Sequence, residues 1–187
     1  MTVLTTDRLV VRRFEPADAA FILELVNDEA WLRFIGDRGV RTLEDARNYI
    51  ERGPLAMYER FGFGLYLVAT RDPLTPVGMC GLLKRDTLPD VDVGFAFLPA
   101  YRGRGYAGES ARGVLRLAHE QFGVTRITAL ARPENASSIR VLEKLGFSYE
   151  RLVRLPGATA DSGIYALTLG AGKSATPGAP GAGAPPP

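Results

Sequence analysis

The sequence predicts an α+β fold: a mixed, mostly antiparallel central sheet with flanking helices. Three β-type runs with short connections predict an antiparallel meander: GLYLVAT, VGMCGLLKR and VDVGFAFLP (residues 64–70, 77–85 and 91–99). After Pro99 the pattern changes to helix, strand and helix, and two further strands complete the chain. A meander followed by such a crossover is typical of the α+β class.

The N-terminal part of the chain predicts one strand and two helices. RLVVRRF (residues 8–14) favours a strand, and PADAAFILELVND (residues 16–28) favours a helix. The apolar stripe of this helix comprises Phe21, Ile22, Leu25 and Val26. Thr42, followed by Glu44 and Asp45, predicts the capped start of a second helix.

The C-terminal half predicts two helices separated by a strand. Apolar residues recur with helical spacing over residues 111–122 and again over residues 139–145. RITALA (residues 126–131) lies between them and predicts the fifth strand. FSYERLVRL and IYALTL (residues 147–155 and 164–169) predict the last two strands.

Length and composition indicate one domain over residues 1–169, followed by a tail. The chain has 187 residues, of which 46% are hydrophobic, enough for a sizeable core. The last stretch, GAGKSATPGAPGAGAPPP (residues 170–187), consists almost entirely of Gly, Ala and Pro and has no apolar period. We therefore expect residues 170–187 to be disordered.

The charge balance and cysteine usage exclude several classes of function. A net charge of +2, without concentrated Lys/Arg runs, argues against a nucleic-acid partner. Cys80 is the only cysteine, which excludes an intrachain disulfide and suits a reducing compartment. No apolar run is long enough for a signal segment or a membrane span. We expect a soluble cytoplasmic protein with no membrane partner.

Three residues that could tempt a chemical interpretation are expected to be structural. Cys80 lies in an apolar strand run and is expected in the core. His119, the only histidine, lies within a helix, and no His/Cys cluster predicts a metal. Glu109 lies in the first turn of a helix, where the helix dipole favours a carboxylate.

The stretch AYRGRGYAGES (residues 100–110) contains two overlapping glycine fingerprints. Gly103 begins a G-x-G-x-x-G dinucleotide pattern, whereas Arg102 begins R-x-x-G-x-A. In both cases the glycines allow close approach of the backbone, and the following helix offers free N–H groups to a phosphate. The dinucleotide pattern needs an acidic residue about 20 positions on. The next strand instead ends in Arg132 and Pro133, which disfavours an NAD(P)-dependent oxidoreductase.

The second fingerprint lies within VGFAFLPAYRGRGYAGES (residues 93–110), which resembles motif A of the GCN5-related N-acetyltransferase (GNAT) superfamily. NASSIRVLEKLGF (residues 135–147) is similar to motif B of that family. TDRLVVRRFEPADAAFILELVND (residues 6–28) is similar to the opening of its ribosomal-protein-alanine/serine acetyltransferase branch. Three co-linear resemblances are more specific than one glycine pattern, and they cover roughly residues 5 to 169.

The resemblance implies an acetyl-CoA-dependent N-acetyltransferase in which a primary amine attacks the thioester directly. It implies that the fourth and fifth strands splay, so that amides at about Phe95, Phe97 and Leu98 are free for the pantetheine arm. Gly94 would then fit a strand bulge, or it relieves packing. The coenzyme-binding residues that the resemblance implies are Phe97, Leu98, Arg102, Gly103, Arg104, Gly105, Tyr106, Ala107, Gly108 and Asn135. Asn135 could equally be a helix N-cap.

The catalytic groups are less well defined. One branch of the family carries a Glu and a Tyr where this chain has Leu130 and Leu142, which cannot move a proton. Ser138 matches a family serine near the coenzyme sulfur and is a candidate thiolate stabiliser or acid, or only a first-turn helix residue. Asp92 lies where many relatives have an acidic base, but it could be a solvated strand carboxylate.

The acceptor is the least patterned part of the site. Trp31 and Phe34 either wall the acceptor site or pack beneath their loop. At pH 7 a lysine amine costs roughly 4.6 kcal/mol to deprotonate, whereas an α-amine costs only about 1–1.4 kcal/mol. This favours a protein or peptide N-terminus or another amine of low pKa. A non-catalytic CoA or acetyl-CoA binding module remains the alternative, prompted by Leu130 and Leu142. A homodimer is also left open.

Overall fold

The computed structural model describes residues 1–170. The predicted tail, apart from Gly170, therefore lies outside the described residues. The strands are β1 (Thr2–Thr5), β2 (Leu9–Arg12), β3 (Leu65–Thr70), β4 (Pro76–Lys84), β5 (Val91–Phe97), β6 (Arg126–Ala131), β7 (Ser148–Val153) and β8 (Ser162–Thr168). They form one sheet in the order β1-β2-β3-β4-β5-β6-β8-β7. The predicted α+β class with a mixed sheet is confirmed.

The helices are α1 (Ala19–Val26), α2 (Glu29–Phe34), α3 (Leu43–Ile50), α4 (Ala56–Phe61), α5 (Tyr106–Phe122) and α6 (Ala136–Lys144). A π-helical turn, Glu51–Leu55, joins α3 to α4. Short 3-10 turns precede α1 (Pro16–Asp18) and follow β5 (Pro99–Tyr101). No helix within residues 1–170 is long and apolar enough to cross a membrane.

Local sequence explains where α3 begins and why it widens at its end. Thr42 Oγ1 accepts a hydrogen bond from the Asp45 amide, and Asp45 accepts one from the Thr42 amide, so the predicted cap is confirmed. Pro54 has no N–H to donate, and the chain accommodates it in the π-helical turn without leaving the helical path.

Strand pairing confirms the predicted meander and locates the change of direction in the sheet. β1 to β5 pair antiparallel in sequence order. Within residues 1–170, the one parallel pairing joins β5 to β6. β8 then lies between β6 and β7, antiparallel to both. Because parallel strands end at the same edge, the loops that follow β5 and β6 lie on one side of the molecule.

Different helices cover the two faces of the sheet. α5 packs against β4 and β5, in a hydrophobic cluster that includes Val93 and Ile127. α1 and α3 cover the opposite face of the meander, where Leu67 and Met79 are fully buried. Alternate residues of each central strand therefore belong to different layers of the core.

Candidate active site

β5 and β6 pair over only two residues and then separate. Val91 lies opposite Ile127, and Asp92 lies opposite Thr128. The remaining residues, 93–97 of β5 and 129–131 of β6, have no pairing across this boundary, and we call the gap between them the β5–β6 split. The splay expected between the fourth and fifth predicted strands is therefore present.

The backbone groups of β5 alternate between β4 and the split. The Leu98 amide donates to the Val77 carbonyl at 2.9 Å, so this pair belongs to the β4–β5 ladder. Phe95 and Phe97 are out of phase with Leu98, and their N–H and C=O groups point to the split. The prediction of a free amide is therefore wrong for Leu98, because the ladder extends one residue beyond β5.

Gly94 does not form the bulge that the sequence allowed. It pairs with Gly81 in a β4–β5 register that has no shift from Gly78 to Lys84. A Cβ at Gly94 would lie 3.1 Å from a methyl carbon of Leu83, which is tight for such a contact. This glycine therefore relieves packing on the face of β5 that also carries Asp92.

The glycine loop, residues 102–108, joins the carboxyl end of β5 to α5. Gly103 and Gly105 have φ angles of +74° and +82°, in the left-handed region that favours glycine. Gly105 is the N-cap of α5 and has no side chain to bond the first helical amides. The first bond within the helix is that of the Glu109 amide to the Gly105 carbonyl, so the amides of residues 106–108 lack helical partners. This arrangement suits an anion.

The two arginines of the glycine loop differ in their surroundings. Arg102 Nε donates to the Phe97 carbonyl at 2.9 Å, and its Nη2 pairs with Asp28, the N-cap of α2. Arg104 is exposed, with its guanidinium carbon 5.4 Å from the centre of the Tyr101 ring. Protein groups therefore engage Arg102, whereas Arg104 keeps donors for a ligand.

Glu109 lies in the first turn of α5, and its carboxylate is bonded by groups outside the glycine loop. It is held by Thr6 and Arg8, which belong to the turn between β1 and β2. Burial alone would raise the pKa of Glu109, but hydrogen bonds from Thr6 and Arg8 and the charge of Arg8 lower it, and the net pKa is below its usual value. Arg8 was not among the predicted site residues.

Asp92 lies where β5 and β6 part. Its side chain alternates with that of Val93 and lies on the face of the sheet opposite α5. Asp92 is 1% exposed, so it is not the solvated carboxylate that the sequence left open. Arg85 Nε lies 3.1 Å from Asp92 Oδ1. Burial raises the pKa of Asp92, and the charge and hydrogen bonds of Arg85 oppose that rise without cancelling it.

Asn135 and Ser138 lie at the start of α6, which follows β6. Asn135 Oδ1 accepts hydrogen bonds from the Ser138 amide at 3.1 Å and from Ser137 Oγ at 2.9 Å, so Asn135 is the N-cap of α6. Within residues 1–170, its Nδ2 and the Ser138 hydroxyl have no hydrogen-bond partner. Both residues therefore flank the open end of the split and retain free donors there.

The predicted acceptor residues have different environments. Trp31 is 4% exposed, packs in the core and donates from Nε1 to the Gly36 carbonyl at 3.1 Å, so it packs beneath its loop. Phe34 is half-buried under the Arg33 guanidinium and remains a candidate wall residue. A cavity of about 460 Å³ lies beside residues 38–40, in the loop that follows α2. Its lining residues include Arg38, Asn48, Tyr49 and Arg52.

Burial excludes Cys80 from nucleophilic chemistry. Cys80 is fully buried, and burial raises the pKa of its thiol to about 12, against the effect of a hydrogen bond from Ser110. Leu142 lies in the hydrophobic core under α5 and α6. His119 places Nδ1 3.2 Å from the Val124 carbonyl at the end of α5. Cys80 and His119 have the structural roles expected from the sequence.

The family model for the acetyltransferase (GNAT) domain matches residues 8–148. The uncharacterized N-acetyltransferase YnaD of Bacillus subtilis (strain 168) is 31% identical over 147 residues, which cover 79% of this chain and 83% of that protein. The structure of a GNAT-family acetyltransferase from Bacillus anthracis superimposes with a TM-score of 0.74 at 28% identity, covering 90% of this chain and 98% of that one.

A ribosomal L7/L12 α-N-protein acetyltransferase in complex with coenzyme A shares the fold, with a TM-score of 0.76 at 17% identity and coverage of 90% and 98%. The matched family region begins at Arg8, contains the split and the glycine loop, and ends just after α6. Sequence, fold and site geometry thus agree. The chain belongs to the GNAT acetyltransferase family and is an N-acetyltransferase.

Proposed function

We propose that this protein transfers the acetyl group of acetyl-CoA directly to a primary amine, with no covalent enzyme intermediate. We propose an α-amine as the acceptor, on a protein or peptide N-terminus or on a small molecule. The observation that carries the proposal is the β5–β6 split, which opens towards the glycine loop. A strand with free backbone groups can bind an extended ligand. The helix that follows it has free amides at its start and can bind an anion.

The residues around the split fit acetyl-CoA. The amides of Phe95 and Phe97 and the Phe95 carbonyl face the gap and can bond an amide-containing pantetheine arm in place of a missing strand, while the Phe97 carbonyl accepts from Arg102. The free amides of α5 and the exposed Arg104 suit the pyrophosphate. Asn135 offers its side-chain amide from the β6 side of the gap. Acetyl-CoA would supply the thioester whose acetyl group is transferred.

Asp92 is the proposed general base. The amine must lose a proton as its nitrogen bonds to the acetyl carbon, and Asp92 would accept that proton directly or through a water. Burial raises the pKa of Asp92 above that of an ordinary carboxyl, which brings it closer to the pKa of an α-amine. The pKa of an α-amine is closer to that of Asp92 than the pKa of a lysine amine is, which supports the proposed acceptor class.

Ser138 is the proposed partner of the departing thiolate. Its hydroxyl lies in the first turn of α6, where the helix dipole favours negative charge. When the bond between the acetyl carbon and sulfur breaks, this hydroxyl would donate a hydrogen bond or a proton to the thiolate. Phe34 remains a proposed wall of the acceptor site.

The decisive experiment follows thiol release from acetyl-CoA with a panel of amines, while calorimetry measures acetyl-CoA binding in parallel. The panel pairs peptides with free Ala, Ser or Thr N-termini with the same peptides carrying a blocked N-terminus and a lysine. Amino acids, polyamines and aminoglycosides complete it. We expect turnover with free α-amines and none with blocked peptides. Turnover restricted to lysine or polyamines would contradict the acceptor class, and absence of acetyl-CoA binding would overturn the proposal.

Two further expectations remain predictions. A cytoplasmic location follows from the reducing environment that a single cysteine suits. A homodimer is compatible with the family resemblance, and sedimentation of the purified chain would decide it.

A further inference from the structure

The turn between β1 and β2 lies against the start of α5, although Arg8 and Glu109 are 101 residues apart in the chain. The Arg8 amide donates to Glu109 Oε1 at 3.0 Å, and Arg8 Nε donates to Oε2 at 2.7 Å. Arg8 Nη2 lies 2.6 Å from the same carboxylate, and Thr6 Oγ1 donates to it at 2.5 Å. Main-chain and side-chain groups of one turn therefore converge on one carboxylate.

Arg8 also contacts the glycine loop itself. Its Nη1 donates to the Arg104 carbonyl at 3.0 Å, and its guanidinium carbon lies 4.8 Å from the centre of the Tyr106 ring. A Cβ at Gly105 would lie 3.3 Å from Arg8 Nη2, so the guanidinium lies directly behind that glycine. The Arg8 side chain thus contacts residues 104 and 106 as well as Glu109.

The charge of Arg8 beside Glu109 also matters for an anionic ligand. The Glu109 carboxylate belongs to the same helical turn as the free amides of residues 106–108. An unpaired carboxylate there would repel an anionic ligand at those amides. Arg8 pairs with Glu109 and offsets its charge. Two guanidinium nitrogens of Arg8 contact Oε2 and the Arg8 amide bonds Oε1, and these combined contacts restrict the loop.

We propose that Arg8 is a positioning residue for acetyl-CoA: it holds the Arg104 carbonyl so that the glycine-loop amides face the pyrophosphate, and it neutralises Glu109. The inference rests on the proposed function, since it assumes that the glycine loop binds the coenzyme. Arg8 bonds the Arg104 carbonyl and Glu109, so it would act through the loop backbone and this carboxylate. It should therefore affect coenzyme binding and leave the chemical step and the amine site unchanged.

The test compares Arg8→Met with Arg71→Met. Arg71 contacts the same turn, since its Nη1 donates to the carbonyls of Thr6 and Asp7 at 3.3 and 3.4 Å, and it has no bond to the glycine loop. We expect Arg8→Met to raise the KM for acetyl-CoA and the Kd for CoA about tenfold, with kcat and the KM for the amine within about twofold of wild type. Arg71→Met should leave all four unchanged.

A second pair of variants separates charge from packing. In Arg8→Met, the additional change Glu109→Gln removes the unpaired charge, and we expect it to recover several-fold of the lost CoA affinity. Arg8→Lys keeps the charge without the guanidinium geometry and should lie between wild type and Arg8→Met. It also serves as the folded variant should Arg8→Met not fold.

The outcomes are distinguishable. If Arg8→Met and Arg8→Lys lower the melting temperature but leave the Kd for CoA unchanged, Arg8 is structural only and the inference is overturned. Equal losses in Arg8→Met and Arg71→Met would overturn it as well. Absence of recovery in the double variant would overturn the role in neutralising Glu109. If wild-type protein does not bind CoA, the proposed function fails instead.

Discussion

The coenzyme side and the acceptor side of the proposed site are built in different ways. On the coenzyme side, Arg102 bonds the Phe97 carbonyl at the end of β5, Arg8 bonds the Arg104 carbonyl within the glycine loop, and each arginine pairs with an acid from another element. Arg8 pairs with Glu109, and Arg102 pairs with Asp28. On the proposed acceptor side, Phe34 lies at the end of α2 beneath the exposed Arg33 guanidinium, and Arg33 has no ion-pair partner within residues 1–170.

The difference shows which parts of the site depend on backbone and which depend on side chains. The coenzyme side presents main-chain amides, whose direction depends on glycine conformations and on the groups that hold the loop. The proposed acceptor side presents a side chain at a helix end, where sequence can change without disturbing the sheet. Coenzyme binding should therefore be sensitive to conformation, and acceptor choice to residue identity.

The largest effect is expected at the base. Asp92→Asn removes the proposed proton acceptor, and we expect kcat to fall about 10²- to 10³-fold with an unchanged KM for acetyl-CoA. Asp90→Asn is the matched control, because Asp90 precedes the same strand and pairs with Arg126, away from the split. Steady-state kinetics of both variants would contradict the proposal if kcat fell equally or if Asp92→Asn kept full activity.

The next largest effect concerns the conformation of the glycine loop. Gly105→Val places a β-branched residue at a φ of +82°, behind which Arg8 leaves little room. We expect the Kd for CoA to rise about 100-fold by calorimetry, since the loop must change shape. Gly123→Val introduces the same kind of strain at the other end of α5, where φ is +64° and nothing lies within 4 Å. It should lower stability and leave CoA affinity unchanged.

A smaller effect should distinguish the two ends of the glycine loop. Arg102→Glu places a negative charge beside Asp28 and the Phe97 carbonyl, and we expect it to weaken CoA binding by more than about tenfold. Asp28→Asn keeps an N-cap for α2 but loses the ion pair, and should cost only a few-fold. If CoA affinity were unchanged in Arg102→Glu, the coenzyme could not lie at this loop.

The smallest effect is a shift along the pH axis. The charge and hydrogen bonds of Arg85 lower the pKa of Asp92 against the effect of burial, so Arg85→Met should raise that pKa further. The base must be deprotonated, and activity rises with pH through the pKa of Asp92. This rise should move to higher pH in the variant, with the same plateau. A rise at an unchanged or lower pH in the rate profile would contradict Asp92 as the base.

Most of the fold could be predicted because long, periodic segments carry their own signals. The meander, α5, α6 and the α+β class were predicted correctly. The prediction omitted β1, α2 and α4, which have only 4, 6 and 6 residues. Elements of this length do not show a period, and their stability comes from tertiary neighbours. Pro54, a residue type that usually ends a helix, instead lies within a π-helical turn through which the chain continues.

The site also has features with a local sequence signal and features that depend on tertiary contacts. The sequence alone determined the glycine loop and the position of Asn135, because each depends on a few adjacent residues, and the resemblance to the GNAT family implied where the strands splay. Only the tertiary structure decided that Arg102 pairs with Asp28, that Trp31 is buried, that Asp92 is enclosed beside Arg85, and that Arg8 holds Glu109. The pairs of Arg102 and Arg8 join elements far apart in the chain, and burial depends on every element packed nearby. A short sequence pattern does not show which distant residues come into contact in the folded chain.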